Sequence, residues 1–173
     1  VLNLPHTQAL AKLCPVRRYL EIGVQEGASL RAVVEASPQL EELVLCDTWG
    51  TECGGTGRGS NAHIEKLLKE LGYTGRVIYL EGASQQLIPA FLQTQPPLFD
   101  LVFVDGHHGE QEALTDLRNV WPIANRLAVH DLVFPEVLRA CFTWMSEQHS
   151  TIHTVSLASV DYNGMFVIDR KPV

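Results

Sequence analysis

Asp105-Gly106-His107-His108 puts one carboxylate and two imidazoles within four residues, and His130-Asp131 supplies a second pair further on. Imidazole ionises nearest to neutral pH, and with a carboxylate beside it, it can ligate a divalent metal or take a proton as a general base. Three more clusters carry polar groups. Glu21-Ile22-Gly23-Val24-Gln25-Glu26-Gly27 has the glycines of a tight turn that lets a ligand approach the main chain. Asp47-Thr48-Trp49 offers a carboxylate able to receive both hydroxyls of a ribose. Glu81-Gly82-Ala83-Ser84 offers contacts to a nucleobase. Each has a plainer counterpart. Asp47, Ser84 and Asp131 are suitable helix caps, Trp49 is a suitable packing residue, and paired histidines occur on solvent-facing turns.

These clusters share a position, because each follows a strand. Apolar runs at 17–23, 43–46, 76–81, 99–104 and 126–130 read as strands. The run Phe99-Asp100-Leu101-Val102-Phe103-Val104 has the pattern of a strand covered on both faces. Amphipathic stretches at 28–36, 61–71, 84–92, 110–120 and 135–148 read as helices, and 4–13 as a short leading helix. Gly72 stands where a left-handed residue closes a helix. Runs at 152–157 and 165–169, joined by Asp161-Tyr162-Asn163-Gly164, read as a β-hairpin. Five βα units and a hairpin predict an α/β fold: a doubly wound, mostly parallel seven-stranded sheet with helices on both faces and a C-terminal antiparallel hairpin. Ligands of such sheets sit outside the carboxyl ends of the strands, where the five clusters fall.

Composition bounds the partners. The chain has 173 residues, enough for one domain, and no internal repeat or linker is apparent. A net charge of -7 argues against a nucleic-acid backbone. No apolar run reaches membrane-spanning length and no signal peptide is expected at the start, so no membrane partner is expected. Cys14, Cys46, Cys53 and Cys141 form no zinc spacing, which suggests reduced thiols and a cytoplasmic setting. A homo-oligomer is left open.

The residues also resemble a known family. Residues 19–30, Tyr-Leu-Glu-Ile-Gly-Val-Gln-Glu-Gly-Ala-Ser-Leu, are similar to the first motif of class I S-adenosylmethionine-dependent methyltransferases. Asp47-Thr48-Trp49, the Asp105-Gly106-His107-His108 segment and His130-Asp131 are similar to its small-molecule branch, which includes macrolide-sugar O-methyltransferases and cephalosporin-hydroxylase-like proteins. The resemblance covers about residues 17–135 and implies a single Rossmann-like methyltransferase domain over 1–173. It implies that Glu21, Gly23, Val24 and Gly27 hold the methionine end of the cofactor, and that Asp47, Thr48, Ala83, Ser84 and Asp105 line the rest. It implies catalysis by His108 and Asp105, and a cation, Mg²⁺ or Mn²⁺, on Asp105, His130 and Asp131. His130 stands where metal-dependent sugar methyltransferases often carry Glu, and imidazole suits Mn²⁺ better than Mg²⁺. Gln25 replaces the middle glycine of a dinucleotide-binding turn, which argues against a nicotinamide-dependent oxidoreductase. The expected reaction is methyl transfer to a hydroxyl of a small-molecule acceptor, recognised by the loop 48–60, by Tyr162 and Asn163, or by another subunit. The alternative is a non-catalytic S-adenosylmethionine-binding domain within a larger assembly. The turn at Ile123-Ala124-Asn125-Arg126, lacking the family's paired glycines, is expected to use Asn125 in a left-handed conformation.

Overall fold

The alternation of apolar and amphipathic stretches becomes an alternation of strands and helices. The computed structural model describes residues 5–51, 57–159 and 163–172, and Leu4, Cys53, Asp161 and Tyr162 lie outside them. In chain order the elements are α1 (Pro5–Lys12), β1 (Arg18–Ile22), α2 (Ala28–Ala36), β2 (Glu42–Asp47), α3 (Asn61–Glu70), β3 (Arg76–Glu81) and α4 (Ser84–Leu92). They continue with β4 (Leu101–Val104), α5 (Glu110–Val120) with a 3-10 turn at Trp121–Ile123, β5 (Arg126–His130), α6 (Pro135–Gln148), β6 (Ile152–Ser159) and β7 (Met165–Arg170). One seven-stranded sheet has the order β3-β2-β1-β4-β5-β7-β6. Strands β1 to β5 run parallel, and β7 runs antiparallel between β5 and β6. This is the Rossmann-like arrangement expected from sequence.

Side-chain alternation along the strands divides the core in two. Leu20, Ile22, Val44, Cys46, Val102, Val104, Leu127 and Val129 face a layer built from α4, α5 and α6. Tyr19, Leu43, Leu45, Leu101, Phe103 and Ala128 face α1, α2 and α3. Burying each such aliphatic or aromatic side chain contributes roughly 1.5–3 kcal/mol. Local signals set the helix ends. Ser60 caps α3 by accepting a hydrogen bond from the His63 amide (3.1 Å), and Gly72 follows it at φ 70° as expected. Among the described residues no helix is long and apolar enough to cross a membrane.

Two local expectations are corrected. Strand β4 starts at Leu101; just before it the Asp100 carboxylate accepts hydrogen bonds from the Arg17 and Arg18 amides (2.7 and 3.0 Å), while the Asp100 amide donates to the Arg18 carbonyl (3.1 Å). Asn125 does not take a positive φ. Its amide donates to the Phe99 carbonyl (2.9 Å) while the Phe99 amide donates to Ile123 (2.7 Å), so the turn closes on Phe99 without a left-handed residue.

The sheet changes direction of winding between β1 and β4, which are hydrogen-bonded neighbours. A cleft is expected at that point, provided the two following turns leave space. Gly23, at φ 86°, lies so close to the turn after β4 that a Cβ on it would stand 1.8 Å from the Asp105 carbonyl oxygen. Gly23→Ala is therefore expected to cost roughly 3 kcal/mol or more, from left-handed strain plus overpacking. Urea unfolding checks this, and an unchanged midpoint would refute the close packing of the two turns.

Candidate functional site

The turns after β1 to β4 surround a small, open cleft of about 110 Å³. Its walls include Gly23, Gln25, Asp47, Thr48, Ala83, Ser84, Gln85, Asp105, Gly106 and His107. Gly23, Asp47, Thr48, Ala83, Ser84 and Asp105 are thus brought together as the sequence implies. Glu21, Val24 and Gly27 are not on the walls. Val24 is buried in the core, and Gly27 packs at φ 79° against Leu67 and Ile64 of α3. Glu21 is fully buried on the side of the sheet covered by α2, where Ser29 donates a hydrogen bond to it. Those three residues shape the turn from behind.

Asp47 is held by the main chain. The Gln25 amide donates to one carboxylate oxygen (2.8 Å) and the Trp49 amide to the other (2.7 Å). Each oxygen keeps a further lone pair for a ligand hydroxyl. Gln25 and Trp49 are themselves at φ 48° and 57°, left-handed values rare outside glycine. Both clasp Asp47, so two strained residues aim one acid. Trp49 packs against the core beneath α1–α3 and is not on the cleft wall. Ser84 is the first residue of α4 and Ala83 occupies the cap position, so Ser84 is not the N-cap. Glu81 accepts a hydrogen bond from Asn61 at the start of α3 (2.9 Å).

Beside the cleft lies the second cluster. His108 Nε2 is 2.7 Å from Asp131 Oδ2, and the His108 ring stacks on Phe134 with centroids 4.2 Å apart. The hydrogen bond to Asp131 raises the His108 imidazole above its ordinary value, against the opposing effect of burial. Burial acts to raise the Asp131 carboxyl, but the His108 hydrogen bond and the charge of His130 outweigh it and hold the group below its ordinary value. Asp131 adopts φ 60°, another left-handed residue directly after a strand, and its side chain does not cap α6, whose N-cap is Phe134. His130 Nδ1 lies 3.2 Å from Asp105 Oδ1 and 3.3 Å from Asp131 Oδ1, at the distance of a brace behind both carboxylates. One donor atom each from Asp105, His108 and Asp131 lie within 4.8 Å of one another. The third donor of this group is therefore His108, where the sequence pointed to His130. Sequence reasoning also passed over Gln85 and Asp116, whose only signal was proximity to Ser84 in sequence for one and a lone acid on an apolar helical face for the other.

A doubly wound sheet with its cleft at the strand carboxyl ends, and with Asp47 closing β2, Asp105 following β4 and Asp131 following β5, defines an α/β protein built to hold a small cofactor and act beside it. The chain belongs to the methyltransferase-domain family, which matches residues 20–131. Solved structures share the fold. The O-methyltransferase TomG from Streptomyces achromogenes, involved in tomaymycin synthesis and solved in complex with SAM, is 16% identical, with a TM-score of 0.71 over 99% of this chain and 82% of its own. The Bacillus cereus O-methyltransferase in complex with SAH is 13% identical, with a TM-score of 0.69 over 98% and 82%. The calicheamicin methyltransferase CalS11 is 15% identical, with a TM-score of 0.65 over 95% and 77%. No curated protein matched the chain.

Burial pushes the Glu21 carboxyl from 4.5 up to about 8, although the Ser29 hydroxyl pulls the other way. A raised carboxyl keeps its proton in the folded state while the unfolded chain has lost it, so stability must fall as pH rises between those values. The unfolding free energy is expected to drop with pH from 5 to 8, with Glu21 contributing on the order of 1 kcal/mol per pH unit. Glu21→Gln should flatten its share of that slope. Urea titrations at pH 5, 6.5 and 8 decide this, and parallel slopes for the two proteins would show that Glu21 ionises normally.

Proposed function

We propose that residues 1–173 act as one S-adenosylmethionine-dependent domain that transfers a methyl group to a hydroxyl of a small-molecule acceptor. The observation that carries this reading is the adjacency of two sites: a cleft bordered by Gly23, Asp47 and Ser84, and a His108–Asp131 pair beyond its Asp105–His107 wall. The family match and the cofactor complexes of TomG and the Bacillus cereus protein support the same assignment.

In this reading Asp47 receives the ribose hydroxyls and the Gly23 turn gives the methionine end access to the main chain. The step is an in-line displacement in which the acceptor oxygen bonds to the methyl carbon as the carbon–sulfur bond breaks and the electron pair returns to sulfur. Alignment supplies most of the rate, roughly 7–11 kcal/mol for well-positioned groups. The acceptor proton passes to His108. Asp131 accepts from Nε2–H, which leaves Nδ1 as the basic nitrogen, and its charge stabilises the imidazolium that forms. His108→Ala is expected to lower kcat by roughly 10²–10⁴ while S-adenosylhomocysteine affinity stays within about twofold. The assay is S-adenosylhomocysteine release over a panel of phenols and sugar hydroxyls, with titration calorimetry for affinity. A variant as active as wild type would remove His108 from the mechanism. No release by wild type on any acceptor would favour a non-catalytic cofactor-binding domain.

The approach of Asp105, His108 and Asp131 favours a second reading in which the three hold a divalent cation. Two carboxylates and an imidazole fit such an ion and suit Mn²⁺ better than Mg²⁺. A bound cation would supply Lewis acidity that lowers the pKa of a nearby hydroxyl. In the base reading, turnover is expected to persist after exhaustive chelation. Loss on chelation with recovery on added Mn²⁺ would assign the cluster to a cation.

A further inference from the structure

Asp116 sits within α5, among residues that pack the core, and is fully buried. A buried carboxyl is costly unless polar partners receive it. Its partners are the Ser84 side chain and Gln85, whose amide Nε2 lies 3.1 Å from both carboxylate oxygens. Gln85 is the second residue of α4 and lines the cleft beside Ala83 and Ser84. The same carboxylate reaches under the loop after β4, where a Cβ on Gly106 would stand 3.5 Å from Asp116 Oδ2. One buried acid therefore backs two walls of the cleft, although it does not line the cleft itself.

The chemistry of the pair is asymmetric. A primary amide is ambidextrous, with a donor NH₂ and an acceptor oxygen exchanged by a half-turn about its last torsion. A carboxylate only accepts. It holds the NH₂ of Gln85 inward, and the carbonyl oxygen is the group left for the cleft. A simple clasp between α4 and α5 has no need of a cleft-lining residue as its second half.

We propose that Asp116 is a positioning residue which, by fixing the Gln85 amide with its oxygen toward the cleft, makes the site select a 6-aminopurine cofactor over its 6-oxopurine counterpart. The inference rests on the reading of the cleft as an S-adenosylmethionine site. An exocyclic amine donates to the Gln85 oxygen. A 6-oxo group meets that oxygen acceptor to acceptor, and the half-turn that would relieve the clash would set the amide oxygen against the Asp116 carboxylate.

The test is titration calorimetry of S-adenosylhomocysteine and its deaminated analogue, S-inosylhomocysteine, against wild type, Asp116→Asn and Gln85→Ala. Burial raises the Asp116 carboxyl to about 7, so the titrations are run at pH 8.5, where it is an acceptor only. Wild type is expected to prefer the adenosyl compound by about tenfold or more. Asp116→Asn keeps the shape but both accepts and donates, which frees the amide to turn. It should bind the adenosyl compound within about threefold of wild type while the preference collapses toward unity. Gln85→Ala should lose the preference as well. A wild-type ratio retained in Asp116→Asn would make Asp116 a structural clasp and overturn the proposal. If Asp116→Asn does not fold, a ratio retained in Gln85→Ala overturns it equally. Equal wild-type affinity for both compounds also overturns it with the cofactor reading intact, whereas binding of neither compound overturns the cofactor reading itself.

Discussion

The backbone contact between Gly23 and Asp105 governs the rest of the site. Two parallel strands that diverge in winding leave a crevice at their carboxyl ends, but its shape depends on how close the following turns come. Here the turn after β1 lies against the carbonyl of the turn after β4, with no room for a side chain at residue 23. That contact sets Asp105 at the border between the cleft and the His108–Asp131 pair. It also puts the Gln25 amide within reach of Asp47, so the first acid of the site is held through the same turn.

Several acids converge on one end of this sheet, and each is accommodated differently. Asp47 stays half-exposed and takes two main-chain amides. Glu21 is sealed beneath α2 and is held by burial in its uncharged form near neutral pH. Asp105 and Asp131 share the Nδ1 of His130, and Asp131 adds His108. Asp116 lies under the opposite wall with Gln85. A set of like charges at one sheet end would repel if all were ionised and unpaired. Imidazoles, amides and one retained proton relieve that repulsion without filling the cleft.

The C-terminal hairpin also bears on the site. Strand β7 completes the pairing of β5, and the Asn163 carbonyl accepts a hydrogen bond from the Val133 amide (2.9 Å) in the loop that follows Asp131. Gly164 packs against Leu132 in the same loop. The left-handed conformation of Asp131 is thus supported from both sides: by the sheet through His130 and by the hairpin through Val133. Asn163, expected from sequence to meet an acceptor, contributes through its main chain to the loop that carries the acid.

Periodicity was sufficient for the α/β alternation, the seven strands and the clustering of Asp47, Asp105, His108 and Asp131 at strand ends, because burial on two faces and turn residues leave a local imprint on the chain. The strand count and the parallel sheet follow from that imprint. Which acid does what does not. Glu21, Val24 and Gly27 look like cofactor ligands in the linear motif, yet alternation along β1 and the packing of α2 and α3 turn them away from the cleft. His130 and His108 are equivalent as residue types, and only the placement of β5 beside β4 makes one a brace and the other the half-buried partner of Asp131. Asp116, an ordinary-looking acid in a helix, meets Gln85 only because α5 packs on α4. A sequence records which faces must be buried. Which buried groups touch across elements distant in the chain is decided by tertiary packing, since those contacts depend on helix orientation and side-chain reach rather than on local pattern.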